Sequence, residues 1–559
     1  MNKVLFTFAV ITSYVRGDAF TPVATTPSGR IRGSIGLTVS NKAYFSFEGV
    51  PYARPPVGQL RFEPPEPVGE WVGEVEALAP TQCIQYNYFS EYVNGTYQVE
   101  GEEDCLHLNI YTRDLSVDAN VDVLVHIHGG AFMFGSGTAY GPQIIMDRDV
   151  VYVSFNYRLG ALGFLSTEDA TTPGNNGLRD QIAALRWIRE NIRYFGGDPD
   201  SVTISGMSAG GASVHLHYLM PGSAGLFKGG VSQSGCALNP WVLMERPLEK
   251  ARQLADRLGC PADTSAIIKE CLKTRLAADI AGAARLLQPW MYNPFSPFGV
   301  VVDAWAEDPV LPHHPYDLLV RGLVQNHPWI VSYTSSEGLF PASEFYADER
   351  LLADIDANWN DIMPHVLHYN CTVAPELRDE VSQAIRERYL GGDPVDRRSF
   401  SKLVELIGDR LFVVDIERAT ALHSSSVTSD VYSYLFDYRG AASKSDARTG
   451  SSIDIGVSHG DDTIYVMKTV ADTRSNDDDR AMSEILTDMF VTFMQTGVPQ
   501  VGVEWLPVGK GCDVPLRRLN ISGPQALGME EVAPGRGAFW ERLPLAENDR
   551  LVRRSKDEL

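Results

Sequence analysis

The sequence predicts an α/β fold in which a large, mostly parallel central sheet is flanked by helices on both faces. Three observations carry that expectation. From about Val121 onward, short β-branched runs alternate with helical ones, the pattern of successive βαβ units. Between residues 177 and 195, Ile182, Leu185, Ile188, Ile192 and Phe195 recur at spacings of three and four, which marks an amphipathic helix. The stretch GMSAGG, residues 206–211, stands where a strand-like run meets a helix-like run, so a sharp turn joins the two.

Taken in chain order, VLVHIHGG (123–130) reads as a strand entering a glycine loop, and VVYVSFNYR (150–158) as a second strand. The helix of residues 177–195 follows and is stopped by Gly196-Gly197. SVTIS (201–205) is the next strand, and ASVHLHYLM (212–220) a helix, which puts Ser208 at the junction. Farther on, PWIVSYTSSEG (328–338) and DVYSYLFDYRG (430–440) read as strands that deliver polar residues at their ends. In open α/β sheets the chemistry gathers at the carboxyl ends of strands. No Ser/Gly linker, heptad or internal repeat divides the chain, so residues 18–552 are expected to form one domain, with a helix-rich subregion at 340–425 packed over the sheet.

Composition narrows the function classes. At 44% hydrophobic and 21% charged, the 559-residue chain has the balance of a globular protein. Its net charge of −23 repels phosphate backbones and anionic membranes, so nucleic acid is excluded as a partner. Residues 1–17 have the form of a signal peptide: Lys3, an apolar run over 4–11, then small and polar residues to Gly17. No later run approaches twenty apolar residues, so no membrane span is expected. The tail, residues 553–559, ends in Lys556-Asp557-Glu558-Leu559, the retrieval tetrapeptide read by the KDEL receptor, which points to the endoplasmic reticulum lumen with partial secretion. Sequons at Asn94, Asn370 and Asn520 permit N-glycosylation there. An oxidising lumen also favours pairing among the seven cysteines. Locality selects Cys83 with Cys105 and Cys260 with Cys271, each contributing on the order of 3 kcal/mol through loop closure. Cys236, Cys371 and Cys512 are left over, and an odd count leaves at least one free thiol.

A G-x-S-x-G match arises by chance in a chain this long about once in five, so Ser208 needs partners before it counts as a nucleophile. A serine hydroxyl attacks only when an imidazole takes its proton and a carboxylate holds that imidazole. Glu337, at the end of a predicted strand, and His459, in the Gly-flanked loop GVSHGDD, supply these downstream of Ser208. The negative charge of a tetrahedral intermediate needs backbone donors, and HGGAF (128–132) supplies Gly129 and Gly130, joined by the amide of Ala209. Taken singly, each of these residues has a structural explanation as well. A metal centre is the rival constellation, from His126 and His128 on a strand and His215 and His217 on a helix. Residues at i and i+2 of a helix do not face each other, and no acidic or cysteine ligands cluster at zinc spacing, so neither metal nor cofactor is expected.

The motifs together resemble the type-B carboxylesterase/cholinesterase family of α/β-hydrolases. FEGVPYARPPVGQLRFEPPEP (47–67), EDCLHLNIY (103–111), HGGAFMFGS (128–136), NYRLGALGFLS (156–166), the run 174–206 and GMSAGG follow in the family's order, from about Thr21 to about Leu543. The resemblance implies an α/β-hydrolase fold and a serine carboxylesterase acting through an acyl-enzyme on small ester substrates, with broad xenobiotic or lipid ester metabolism as its range. It implies Ser208, Glu337 and His459 as the catalytic triad, Gly129, Gly130 and Ala209 as the oxyanion hole, and the same two disulfides. Met207 departs from the acidic residue the family usually carries before its nucleophile. The span from Cys83 to Cys105 holds Tyr86, Tyr88, Phe89, Tyr92 and Tyr97 but no tryptophan, which disfavours a choline ester. Two alternatives remain at this stage. One is a catalytically inert, neuroligin-like binding protein, although all three triad positions are filled. The other is a specialised hormone or pheromone esterase, although GMSAGG departs from the GQSAG usual in juvenile-hormone esterases.

Overall fold

The computed structural model describes residues 21–88, 98–469, 474–511, 514–533 and 535–550. The expected leader, Asn94, Cys512 and the retrieval tail lie outside the described residues. Among the described residues the main sheet has eleven strands. In chain order they are β1 Ser34–Leu37, β2 Ala43–Pro51, β3 His107–Thr112, β4 Val121–Ile127, β5 Val151–Phe155, β6 Gly197–Met207, β7 Gly229–Gln233, β8 Trp329–Thr334, β9 Val431–Phe436, β10 Leu516–Gly523 and β11 Ala526–Val532. Their spatial order is β11-β10-β9-β8-β7-β6-β4-β5-β3-β2-β1.

From β10 through β5 every neighbouring pair is parallel. These central strands are buried on both faces, hence the apolar runs of β5 and β8, while the fully buried β7 is Gly-Gly-Val-Ser-Gln. Both margins are antiparallel: β1 to β3 on one side and β11 on the other. The sequence reading missed these margins because β1 and β11 are half exposed and lack the apolar run that betrays a buried strand.

Helix α1, Asn176–Asn191, is shorter than the predicted 177–195. Its last turn tightens into a 3₁₀ segment, Ile192–Phe195, and Gly196 at φ 78° then ends it. Helix α2, Ala209–Leu219, is buried along its whole length, which explains why its sequence shows no amphipathic stripe. The helix-rich subregion is present as α3 Leu339–Ala347, α4 Glu349–Ala357, α5 Trp359–Val366, α6 Arg378–Tyr389, α7 Phe400–Gly408 and α8 Val414–Ser426. Beyond it lie α9 Lys444–Thr449 and α10 Asp477–Thr496, with a short helical turn at Ala538–Glu541.

Both local disulfides form: Cys83–Cys105, with Cα atoms 4.9 Å apart, and Cys260–Cys271, at 5.7 Å. Cys236 is a buried free thiol facing the carbonyl of Asp415 at 3.4 Å, and Cys371 is free and partly buried. Asn370 and Asn520 are both partly buried, the latter within β10. Among the described residues, no helix is long and apolar enough to cross a membrane.

Candidate active site

Ser208 sits between β6 and α2 with φ 60° and ψ −122°, a conformation outside both helix and strand. Its N–H donates to Gln233 O at 2.8 Å, and its carbonyl accepts from Ala212 N at 2.9 Å. The turn is possible because Gly210 has no side chain: a Cβ there would lie 2.0 Å from Ile127 O. Such strain on a non-glycine residue persists only where the surroundings over-determine it.

The loops after β8 and β9 bring the acid and the histidine to the same place. Ser336 N donates to Val457 O at 3.1 Å, joining the two loops. Glu337, 1% exposed, accepts at Oε1 from Ser234 Oγ at 2.5 Å and Thr334 N at 2.7 Å. Its Oε2 lies 2.5 Å from His459 Nδ1. With Nδ1 bonded to a carboxylate, the neutral ring carries its proton there and presents Nε2 as an acceptor. Nε2 is buried and has no hydrogen-bond partner among the described residues. The residues beside the serine and the histidine touch: a Cβ at Gly460 would lie 2.8 Å from Met207 Cε. Ser208, Glu337 and His459, predicted from three distant segments, are thus gathered at the carboxyl ends of β6, β8 and β9.

The glycine loop after β4 reaches the same point. A Cβ at Gly129 would lie 2.4 Å from Met207 O and 3.1 Å from Ser208 Cβ, so that loop packs directly on the serine turn. Gly129, expected as an oxyanion donor, stands in this loop against the serine turn. Positive φ then runs through Gly130 (116°), Ala131 (56°) and Phe132 (60°). No acceptor among the described residues takes the N–H of Gly130 or Ala131. Ala209 opens α2, where the first amides have no intrahelical acceptor. Ala131 was missed in the sequence because its side chain is unremarkable and only its backbone conformation distinguishes it.

An aromatic wall closes one side. The His459 ring packs on Phe412 at 4.5 Å and on Phe340 at 5.4 Å. Phe295 lies 5.1 Å from Phe340, and Trp241 lies 5.9 Å from Phe412 and 6.1 Å from Phe295. Of the aromatic residues between Cys83 and Cys105, Tyr86 and Tyr88 are buried, and the Tyr88 hydroxyl donates to Phe295 O at 2.6 Å. Phe89, Tyr92 and Tyr97 lie outside the described residues.

Behind the histidine, Asp461 accepts from Ser443 Oγ at 2.7 Å, Lys444 N at 2.7 Å and Ser458 N at 2.8 Å. Burial pushes its carboxyl up to about 6. Asp462 accepts from Ser332 Oγ at 3.0 Å and from the Tyr434 hydroxyl at 2.7 Å, and burial raises it too. The four histidines weighed as metal ligands are engaged elsewhere. His126 pairs with Ser205 Oγ, His128 with Gly129 O, His215 with Ala237 N and His423, and His217 with Ser223 Oγ and Gln181. Burial holds His126 down to about 3 and His128 to about 4, so both stay neutral.

This arrangement can move a proton from a serine hydroxyl to an imidazole and hold an oxyanion on backbone amides. The carboxylesterase family model matches residues 21–525. A carboxylic ester hydrolase of Bombus ignitus is 41% identical over 532 residues, covering 94% of this chain and 95% of that protein. Esterase FE4 of Myzus persicae is also 41% identical, covering 88% of this chain and 87% of that one. The crystal structure of juvenile hormone esterase from Manduca sexta, with OTFP covalently attached, superposes with a TM-score of 0.80 at 28% identity, over 93% of this chain and 99% of that one. With its serine turn, buried Glu–His pair and eleven-stranded sheet in one continuous match, the chain belongs to the carboxylesterase family.

Proposed function

We propose that the protein is a serine carboxylesterase that cleaves carboxylic esters through an acyl-enzyme. The observation that carries the reading is the buried His459 with Nδ1 on Glu337 and Nε2 without a partner among the described residues, packed beside a serine held at a strained strand-to-helix turn. His459 Nε2 takes the Ser208 proton as Oγ attacks the ester carbonyl. Glu337 holds the tautomer and stabilises the imidazolium that forms, and its second oxygen is anchored by Ser234 and Thr334. The oxyanion is received by the amides of the Gly129–Gly130–Ala131 loop and of Ala209. Gly129 also lets that loop approach Ser208. His459 then protonates the departing alcohol and activates the water that releases the acid.

The aromatic wall of Trp241, Phe295, Phe340 and Phe412 suits an apolar arm of the ester, in keeping with broad xenobiotic or lipid substrates. Hydrolysis of a p-nitrophenyl ester and labelling by a fluorophosphonate test the reading. Both are expected in the wild type, and Ser208→Ala should lower turnover by at least 10⁴-fold and abolish labelling. A folded wild type that neither turns over nor labels would mean a binding protein instead.

The leader and the Lys556–Leu559 tail place this enzyme in the endoplasmic reticulum lumen in the same reading. Removal of the four tail residues should send the protein to the medium, and unchanged retention would overturn the assignment.

A further inference from the structure

We propose that Lys444 forms a cationic wall of the site and selects esters bearing a carboxylate on the arm directed at Met207. This rests on the esterase reading above and adds to it a substrate class.

Lys444 is the first residue of α9, where Ser443 forms a capping box with Asp446. Its side chain runs back to the catalytic loop. A Cβ at Gly460 would lie 2.7 Å from Lys444 Nζ, beside Met207 Cε at 2.8 Å and Sδ at 3.1 Å. The ammonium therefore packs against the residue after His459, and the thioether of the residue before Ser208 meets the same glycine. Its other neighbour is the face of Tyr140, 5.8 Å from Nζ to the ring centroid.

None of these neighbours neutralises the charge. The carboxylates of Asp461, Asp462 and Glu337 act on Nζ through space, and each is already committed to other donors: Ser443, Lys444 N and Ser458 for Asp461, Ser332 and Tyr434 for Asp462, and Ser234, Thr334 and His459 for Glu337. Arg448 and the neutral, buried His126 are further titratable or charged groups that act on it. Burial brings the ammonium down to about 8, which leaves it charged in most molecules at pH 7.

Asp461, Asp462 and Glu337 stabilise the ammonium only through space, and among the described residues no acceptor bonds Nζ directly, so a complementary group in contact with it would add stabilisation. Part of the side chain remains accessible, so such a group can come from the substrate. An ammonium offers three donors and no acceptor, and a carboxylate is the ester substituent that matches it. The same charge repels a quaternary ammonium alcohol.

The test compares matched esters. One pair is p-nitrophenyl butyrate and p-nitrophenyl hemisuccinate, with the carboxylate on the acyl arm. The other is phenyl butyrate and 4-carboxyphenyl butyrate, with it on the alcohol arm. In at least one pair the carboxylate-to-neutral ratio of kcat/KM should fall about tenfold in Lys444→Met and be retained in Lys444→Arg, and the ratio cancels any general loss of activity or folded fraction. In that pair the wild-type ratio should also decline as pH rises through about 8, when Nζ loses its proton, and stay flat in Lys444→Met. Ratios that are equal in wild type and Lys444→Met for both pairs, with neutral turnover present, would overturn the proposal alone. Absence of neutral turnover together with absence of fluorophosphonate labelling would overturn the esterase reading and this one with it.

Discussion

At Ser208 the backbone holds φ 60°, which costs a serine on the order of 1–3 kcal/mol, and the neighbouring contacts show what offsets it. Gln233 O fixes the amide, α2 takes the carbonyl, and the Gly129 loop lies against the turn too closely for any Cβ. Gly129→Ala would press a methyl into Met207 O and Ser208 Cβ, so the serine must shift relative to His459. A displacement near 1 Å in an acyl-transfer site costs about 100-fold, and kcat/KM for a p-nitrophenyl ester should fall by that order. An alanine variant with wild-type turnover would show that this loop does not hold the serine. At the same scale, Glu337 and His459 are legible as residue types in suitable loops. Ser234 and Thr334, which bind the acid, are not, because a serine or threonine at a strand end carries no local mark of its partner.

Among the elements, the segment between α7 and α8 departs most from regularity. Asp409–Val413 is a π-helical turn that carries Phe412 onto the His459 ring. Widening a helix by one residue leaves carbonyls short of their usual donors, and such turns gather at functional sites. Asn239 Nδ2 donates to Leu411 O and Phe412 O, both at 3.0 Å, and Trp241 Nε1 donates to Leu411 O at 2.8 Å. Asn239 Oδ1 in turn accepts from Cys236 N at 2.7 Å, so one buried amide ties the loop after β7 to this turn. Asn239→Ala removes these bonds and strands their buried partners, which should cost about 2–3 kcal/mol in urea unfolding and raise KM for apolar esters several-fold through a loosened Phe412. Unchanged stability and KM would show that the helix holds the π-turn unaided. Helicity in this region is readable from apolar spacing. The extra residue in the turn is not, because its donors lie some 170 residues earlier in the chain.

Over the whole molecule, seven parallel strands aim their carboxyl ends at one edge of the sheet, and the loops after β4, β6, β8 and β9 deliver Gly130, Ser208, Glu337 and His459 there. Arg158 and Asp180, buried and joined by paired 2.7 Å bonds, clamp the segment after β5 to α1. The sequence by itself determined the alternation of buried strands and helices, the turn at Ser208 and the two local disulfides, because each depends on residues near one another in the chain. Only the tertiary structure decided the antiparallel margins, the close approach of the Gly129 loop to the serine turn, and the seat of Lys444 beside Gly460. Those depend on which distant backbones come within a few ångströms, and neither hydrophobic period nor motif spacing encodes that distance.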